Sequence, residues 1–119
     1  MEGSIPKALI VDDDPALRMM MRVNLELDGF AVSEAGTLAE AEESLAEGHP
    51  DVVLLDVHLG RDDTGGLLEA LRADGVPVAV VTGSADVNDY RELADGVLAK
   101  PFVPSSLVEL ARRLARVGP

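Results

Sequence analysis

The sequence predicts an α/β protein: a three-layer, doubly wound sheet of five parallel strands with helices on both faces. Three observations lead there. Short apolar runs rich in Val, Leu and Ile recur along the chain, each of strand length and too short for a helix. Between them lie stretches with apolar residues at helical spacing, opened by capping residues and closed by glycine. The run Val52-Val53-Leu54-Leu55 is apolar on both sides of the pleat, as a central strand covered twice must be.

Lys7-Ala8-Leu9-Ile10-Val11 is the first strand, and it runs into Asp12-Asp13-Asp14-Pro15. Pro15 suits the first helical position, where no N–H is needed, and Asp14 before it can cap the exposed N–H groups. This helix should reach about Leu27 or Asp28, with Gly29 as its stop. Phe30 to Ala35 is strand two. Thr37-Leu38-Ala39-Glu40 is a capping box, and Leu38, Ala41, Leu45 and Ala46 carry an apolar stripe toward Gly48. His49-Pro50 turns the chain into the central strand, which stops at Asp56 before an irregular loop from Val57 through Asp63.

Gly66 to about Ala73 is the third helix, with Leu67, Leu68 and Leu71 inward and Gly75 closing it. Pro77 to Val81 is strand four, ending at Thr82-Gly83-Ser84. Asp86 to Asp95 is polar and holds at best one or two helical turns. Gly96 to Ala99 is strand five, ending in Lys100-Pro101-Phe102. Ser106-Leu107-Val108-Glu109 is a second capping box, opening a last helix with Leu107, Leu110, Ala111, Leu114 and Val117 on one face. Five alternations of strand and helix imply right-handed crossovers and the strand order 2-1-3-4-5, whose switch point lies between strands one and three.

A chain of 119 residues is expected to form one domain over 1–119, with its core from about 7 to 114. At 47% hydrophobic but 3% aromatic residues, that core must be built from Val, Leu, Ala and Met. No apolar run approaches the roughly 18 residues of a membrane span. The start lacks the charged and apolar regions of a signal peptide, and the absence of cysteine excludes disulfides and thiolate metal sites. A cytoplasmic protein without membrane contact is expected. The net charge of −12 repels phosphate backbones, so direct nucleic-acid binding by this domain is not expected.

Four strands end in residues able to do chemistry: Asp12 and Asp13, Asp56, Thr82, and Lys100. Parallel strands place all of these at one sheet edge, beyond the carboxyl ends where ligands bind. Singly, each has an ordinary explanation as a cap or a solvated loop residue, and Asp14 is assigned to capping outright. Together, three converging carboxylates repel one another unless a cation sits among them. An all-oxygen ligand set suits Mg²⁺ rather than zinc. A cation beside Asp56, the Lys100 ammonium and the Thr82 hydroxyl would position and neutralise a phosphoryl group, which is most of what phosphoryl transfer requires. With Asp56 as nucleophile, the product is an aspartyl phosphate.

These residues resemble the receiver domain of two-component response regulators over roughly Lys7 to Leu114. The matching motifs are Val11-Asp12-Asp13, Leu55-Asp56, Pro77 through Thr82, and Lys100-Pro101-Phe102, in the family's order. The resemblance implies the flavodoxin-like version of the doubly wound sheet. It implies that Asp13 binds Mg²⁺ directly, Asp12 mainly through water, and that the backbone carbonyl of His58 completes the metal site. It implies that Asp56 accepts a phosphoryl group from a phosphohistidine on a sensor histidine kinase or histidine phosphotransfer protein. Thr82 and Lys100 would hold the phosphoryl oxygens, and the Lys100–Pro101 bond would be cis. Such a domain is a phosphoacceptor that assists its own phosphorylation and dephosphorylation rather than an enzyme, and its switched state is read by a downstream effector protein.

The chain departs from the family pattern in places. Gly60 stands where Pro is usual, Thr64 stands where Gly is usual with Gly65 one place late, and Val97 replaces an aromatic switch residue. The segment from Thr82 to Lys100 is short, so the fourth helix should be stunted, as in some stand-alone receivers. Two other readings compete. A phosphatase of the haloacid dehalogenase type would place its nucleophile on the first strand in an Asp-x-Asp motif, whereas Asp56-Val57-His58 follows the third. A phosphorylation-independent pseudo-receiver, acting as an interaction module, would have no need of all five site side chains. A lone His58 without His or Cys companions is better explained as a loop residue at the pocket mouth than as a side-chain metal ligand.

Overall fold

The computed structural model describes residues 4–59, 64–83 and 87–117. Its strands are β1 (Lys7–Val11), β2 (Ala31–Ala35), β3 (Val52–Asp56), β4 (Val78–Gly83) and β5 (Gly96–Lys100). Between and after them run α1 (Pro15–Leu27), α2 (Leu38–Glu47), α3 (Gly65–Ala73), α4 (Val87–Tyr90) and α5 (Pro104–Ala115). All pairings are parallel and the order is β2-β1-β3-β4-β5, as the alternation predicts.

The pleat divides the core into two apolar layers. Ala8, Ile10, Val52, Leu54, Ala79 and Val81 face Met21 and Leu25 of α1 and Leu107, Leu110 and Ala111 of α5. Leu9, Val11, Val53, Leu55, Val78 and Val80 face Ala41 of α2 and Leu68 and Leu71 of α3. Every residue of β3 is buried, because this strand has a neighbour on each edge and helices on each face. Close packing of α5 against β5 leaves no room at Gly96, where an added Cβ would sit 2.7 Å from a Leu110 methyl.

The helix ends follow local chemistry. The Asp14 carboxylate accepts from the N–H groups of Ala16 and Leu17, and Gly29 leaves α1 at φ 100°, a conformation that favours glycine. Thr37 Oγ1 accepts from Glu40 N–H. The Glu40 carboxylate reaches back to the N–H of Gly36 at 2.7 Å, one residue earlier than a regular capping box would place it.

Several boundaries differ from the sequence expectation, among them the ends of β4, which runs Val78–Gly83 rather than Pro77 to Val81. The proposed capping box at Ser106 does not open α5, which begins at Pro104 after Val103, with no side-chain cap. Proline at the first helical position is already preorganised, so the cap moves three residues earlier, from Ser106 to Val103, and Ser106 lies inside the first turn. Helix α3 begins at Gly65, and β5 extends through Lys100, paired with Gly83. The expected polar segment before β5 contains a single four-residue turn of helix, α4. The loop positions Gly60 to Asp63, and Ser84 and Asp86 at the end of β4, lie outside the described residues.

Candidate functional site

Strand register brings the five expected side chains to one place. β1 pairs with β3 up to Val11–Leu55, so Asp12 leaves β1 level with Asp56, the last residue of β3. On the other side Asp56 pairs with Val81, and Thr82 and Gly83 pair with Ala99 and Lys100. Asp12, Asp13 and Asp56 can each direct a carboxylate oxygen into a space where these atoms lie within 4.8 Å of one another. Asp12 and Asp56 are buried, at 1% and 4% exposure, while Asp13 faces solvent.

Each buried carboxylate is held by a neighbouring turn. Asp12 Oδ1 accepts the Asp14 N–H at 2.9 Å, and Asp56 Oδ1 accepts the His58 N–H at 2.9 Å. The second oxygens face the centre, with Lys100 Nζ 3.7 Å from Asp12 Oδ2 and 3.6 Å from Asp56 Oδ2. At these separations the ammonium acts mainly as a charge between the acids. Burial pushes the Asp12 carboxyl above its ordinary range, and repulsion from Asp56 and Asp13 adds to this, against the Asp14 N–H and Lys100.

Two buried side-chain oxygens, Asp12 Oδ2 and Thr82 Oγ1, have no hydrogen-bond partner among the described residues. An unpaired buried polar atom is destabilising by roughly 1–3 kcal/mol, so both are suited to a ligand that would satisfy them. A hard divalent cation fits this donor set, which offers carboxylate oxygens and neither sulfur nor imidazole.

A family model for the response regulator receiver domain matches residues 8–112. The chain belongs to this family. Receiver domains are the phosphoacceptor signalling modules of two-component systems. The transcriptional regulatory protein PrrA of Mycobacterium tuberculosis is 37% identical over 93% of the chain and 50% of its own length. The chain thus spans about half the length of the curated relatives it matches. A response regulator receiver domain structure from Methanospirillum hungatei has a TM-score of 0.84 at 28% identity, covering 95% of this chain and 95% of that one. A response regulator from Burkholderia pseudomallei, with a phosphorylated aspartic acid, calcium ion and citrate, has a TM-score of 0.79 at 25% identity, covering 93% of this chain and 69% of that one.

Within this receiver the sequence-predicted residues Asp12, Asp13, Asp56 and Lys100 converge, Thr82 stands one residue past Val81, the β4 partner of Asp56, and the Lys100–Pro101 bond is cis. His58 is exposed beside Asp56. Val97, the position of the expected aromatic, is half-buried in β5, and Tyr90 packs against the core layer that contains α2 and α3. Three residues around the pocket have contacts that the sequence reading did not assign to them. Thr64 is buried and its hydroxyl donates to the carbonyl of Val57, the residue after Asp56. Arg18 donates to the carbonyl of Asp12 at 2.6 Å and pairs with Glu34 at 3.1 Å. A basic residue on the first helix and an acid on the second strand are too common in sequence to signal this; only the fold brings them together.

Proposed function

We propose that residues 7–114 form one receiver domain that takes a phosphoryl group from a phosphohistidine onto Asp56 and changes conformation to signal. The observation that carries the reading is the pair of buried oxygens, Thr82 Oγ1 and Asp12 Oδ2, without a hydrogen-bond partner among the described residues and close to the strand end that carries Asp56. Asp12, Asp13 and Asp56 would hold Mg²⁺, joined by the backbone carbonyl of His58. When bound, the cation supplies charge neutralisation for the incoming phosphoryl group.

The chain's own residues would do the rest. The His58 N–H stops the Asp56 carboxylate from rotating, and the Lys100 ammonium lies 3.6 Å from Asp56 Oδ2, where incoming phosphoryl oxygens would meet it. A carboxylate oxygen of Asp56 forms a bond to phosphorus while the phosphorus–nitrogen bond breaks, and the imidazole leaves with the bonding electron pair. Lys100 then transfers its attraction from the carboxylates to the phosphoryl oxygens. Thr82 donates its hydroxyl hydrogen to one of them and loses its unsatisfied state. The donor is a sensor histidine kinase or a histidine phosphotransfer protein, and a downstream effector reads the product. The phosphorylated aspartic acid and calcium ion in the Burkholderia relative support the same chemistry here.

The test is incubation with Mg²⁺ and a small-molecule phosphodonor, followed by intact mass measurement. One added phosphoryl group is expected for the native chain and none for Asp56→Asn. An unmodified native chain would favour the phosphorylation-independent reading instead.

A further inference from the structure

The Asp12 carbonyl lies just past the end of a ladder. Pairing of β1 with β2 stops at Val11–Ala35, and the Asp12 N–H makes one further bond, to the Ala35 carbonyl at 3.0 Å. The Asp12 carbonyl belongs to the peptide that joins Asp12 to Asp13, so its direction sets how the two acids are presented relative to one another. Arg18 Nη1 donates to this carbonyl at 2.6 Å. The same guanidinium is fixed from the other side by Glu34, whose Oε1 accepts from Nε at 3.1 Å and whose Oε2 accepts from Arg22 at 2.7 Å. The guanidinium also fills the space over Gly36, where an added Cβ would lie 2.9 Å from Nη1 and 3.4 Å from Cζ. Loop, helix and strand thus meet at one planar group.

A positive charge so near three carboxylates opposes cation binding, so electrostatics alone gives no reason for it. Geometry does. We propose that Arg18, clamped by Glu34, is a positioning residue that holds the Asp12–Asp13 peptide in the orientation needed for divalent cation binding. This rests on the reading that Asp12, Asp13 and Asp56 bind Mg²⁺. A planar fork with donors on two edges can serve the carbonyl and the carboxylate at once, whereas the single ammonium of lysine cannot hold both in the same geometry.

The two roles predict opposite signs. Removing only a nearby positive charge would tighten Mg²⁺ binding; removing a positioning contact should weaken it about tenfold, the lower end of what loss of a ligand-orienting partner costs in metal affinity. The experiment is calorimetric titration of Mg²⁺ at fixed ionic strength into the native chain and the variants R18Q, R18K, G36A and D13N. R18Q and R18K are expected to bind about tenfold more weakly. G36A should weaken binding in the same direction, because its methyl displaces the guanidinium without altering any charge. It also serves if R18Q does not fold, since the displaced group is the end of a flexible side chain. Without metal, hydrogen exchange at the Asp14 N–H, which bonds Asp12 Oδ1, should be faster in R18Q and G36A than in the native chain. Native-strength or tighter Mg²⁺ binding in R18K and G36A overturns the inference and leaves the reading of the pocket standing. A native chain that binds no Mg²⁺, or binding that D13N leaves unchanged, overturns that reading and the inference with it.

Discussion

Replacing Thr82 by Val should stabilise the unphosphorylated protein while impairing the phosphorylated one. Thr82 is 1% exposed, and its hydroxyl has no hydrogen-bond partner among the described residues. Val keeps the β-branched shape, so it leaves no cavity and the same staggered rotamer fits. The change removes an unsatisfied buried hydroxyl worth roughly 1–3 kcal/mol of desolvation penalty. A gain of about 1 kcal/mol is a conservative expectation, because the apolar replacement also meets the polar pocket. At about 2.1 cal/mol/K per residue, 119 residues give an unfolding entropy near 0.25 kcal/mol/K, so the melting temperature should rise by roughly 4 °C. The assay is urea and thermal unfolding of both proteins in chelator, set against phosphorylation yield and lifetime by intact mass. Opposite signs in the two readouts are the expected result. A Thr82→Val protein that unfolds more easily, or that takes and keeps the phosphoryl group like the native chain, would refute the reasoning.

Mg²⁺ should stabilise the protein by about 2.7 kcal/mol at 100 times its Kd. The effect should grow with pH: Asp12 in the folded protein is raised above its ordinary 3.8, so without metal, stability falls as pH rises from there through the raised value and stays low above it. A melting temperature at neutral pH indifferent to millimolar Mg²⁺, with monovalent salt constant, would contradict this. Lys100→Ala should reduce phosphorylation strongly yet destabilise the metal-free fold by no more than ~1 kcal/mol, because the ammonium is one-third exposed and solvent screens its pairing with the acids; parallel losses in unfolding and phosphorylation assays would make its role structural. Phosphorylation should alter hydrogen exchange between residues 83 and 96, where α4 is one turn long and Arg72 of α3 holds the Glu92 and Leu93 carbonyls. Val97 is too stiff at χ1 to act as a swinging aromatic would, so changes confined to residues 56–59 would argue against signalling through this segment.

Much of this protein was legible without coordinates because the relevant chemistry is local. The Asp14-Pro15 start of α1, the Thr37 cap and the Gly29 and Gly75 stops depend on residues a few positions apart. The four strand ends carrying Asp12, Asp56, Thr82 and Lys100 were equally legible, since parallel strands must deliver their carboxyl ends to one edge. Pro104 shows the limit within a single element: two local start signals competed for α5, and the preorganised proline won over the Ser106 box. Tertiary structure alone decided the rest. The distance of Lys100 from two carboxylates, the unsatisfied hydroxyl of Thr82, the bond from Thr64 to the Val57 carbonyl and the clamp of Arg18 between Asp12 and Glu34 follow from register and helix packing. Such contacts join residues whose types are unremarkable and whose sequence separation is arbitrary. A sequence can name the side chains at a sheet edge, but only the packed backbone determines which polar atoms meet there and which are left waiting for a ligand.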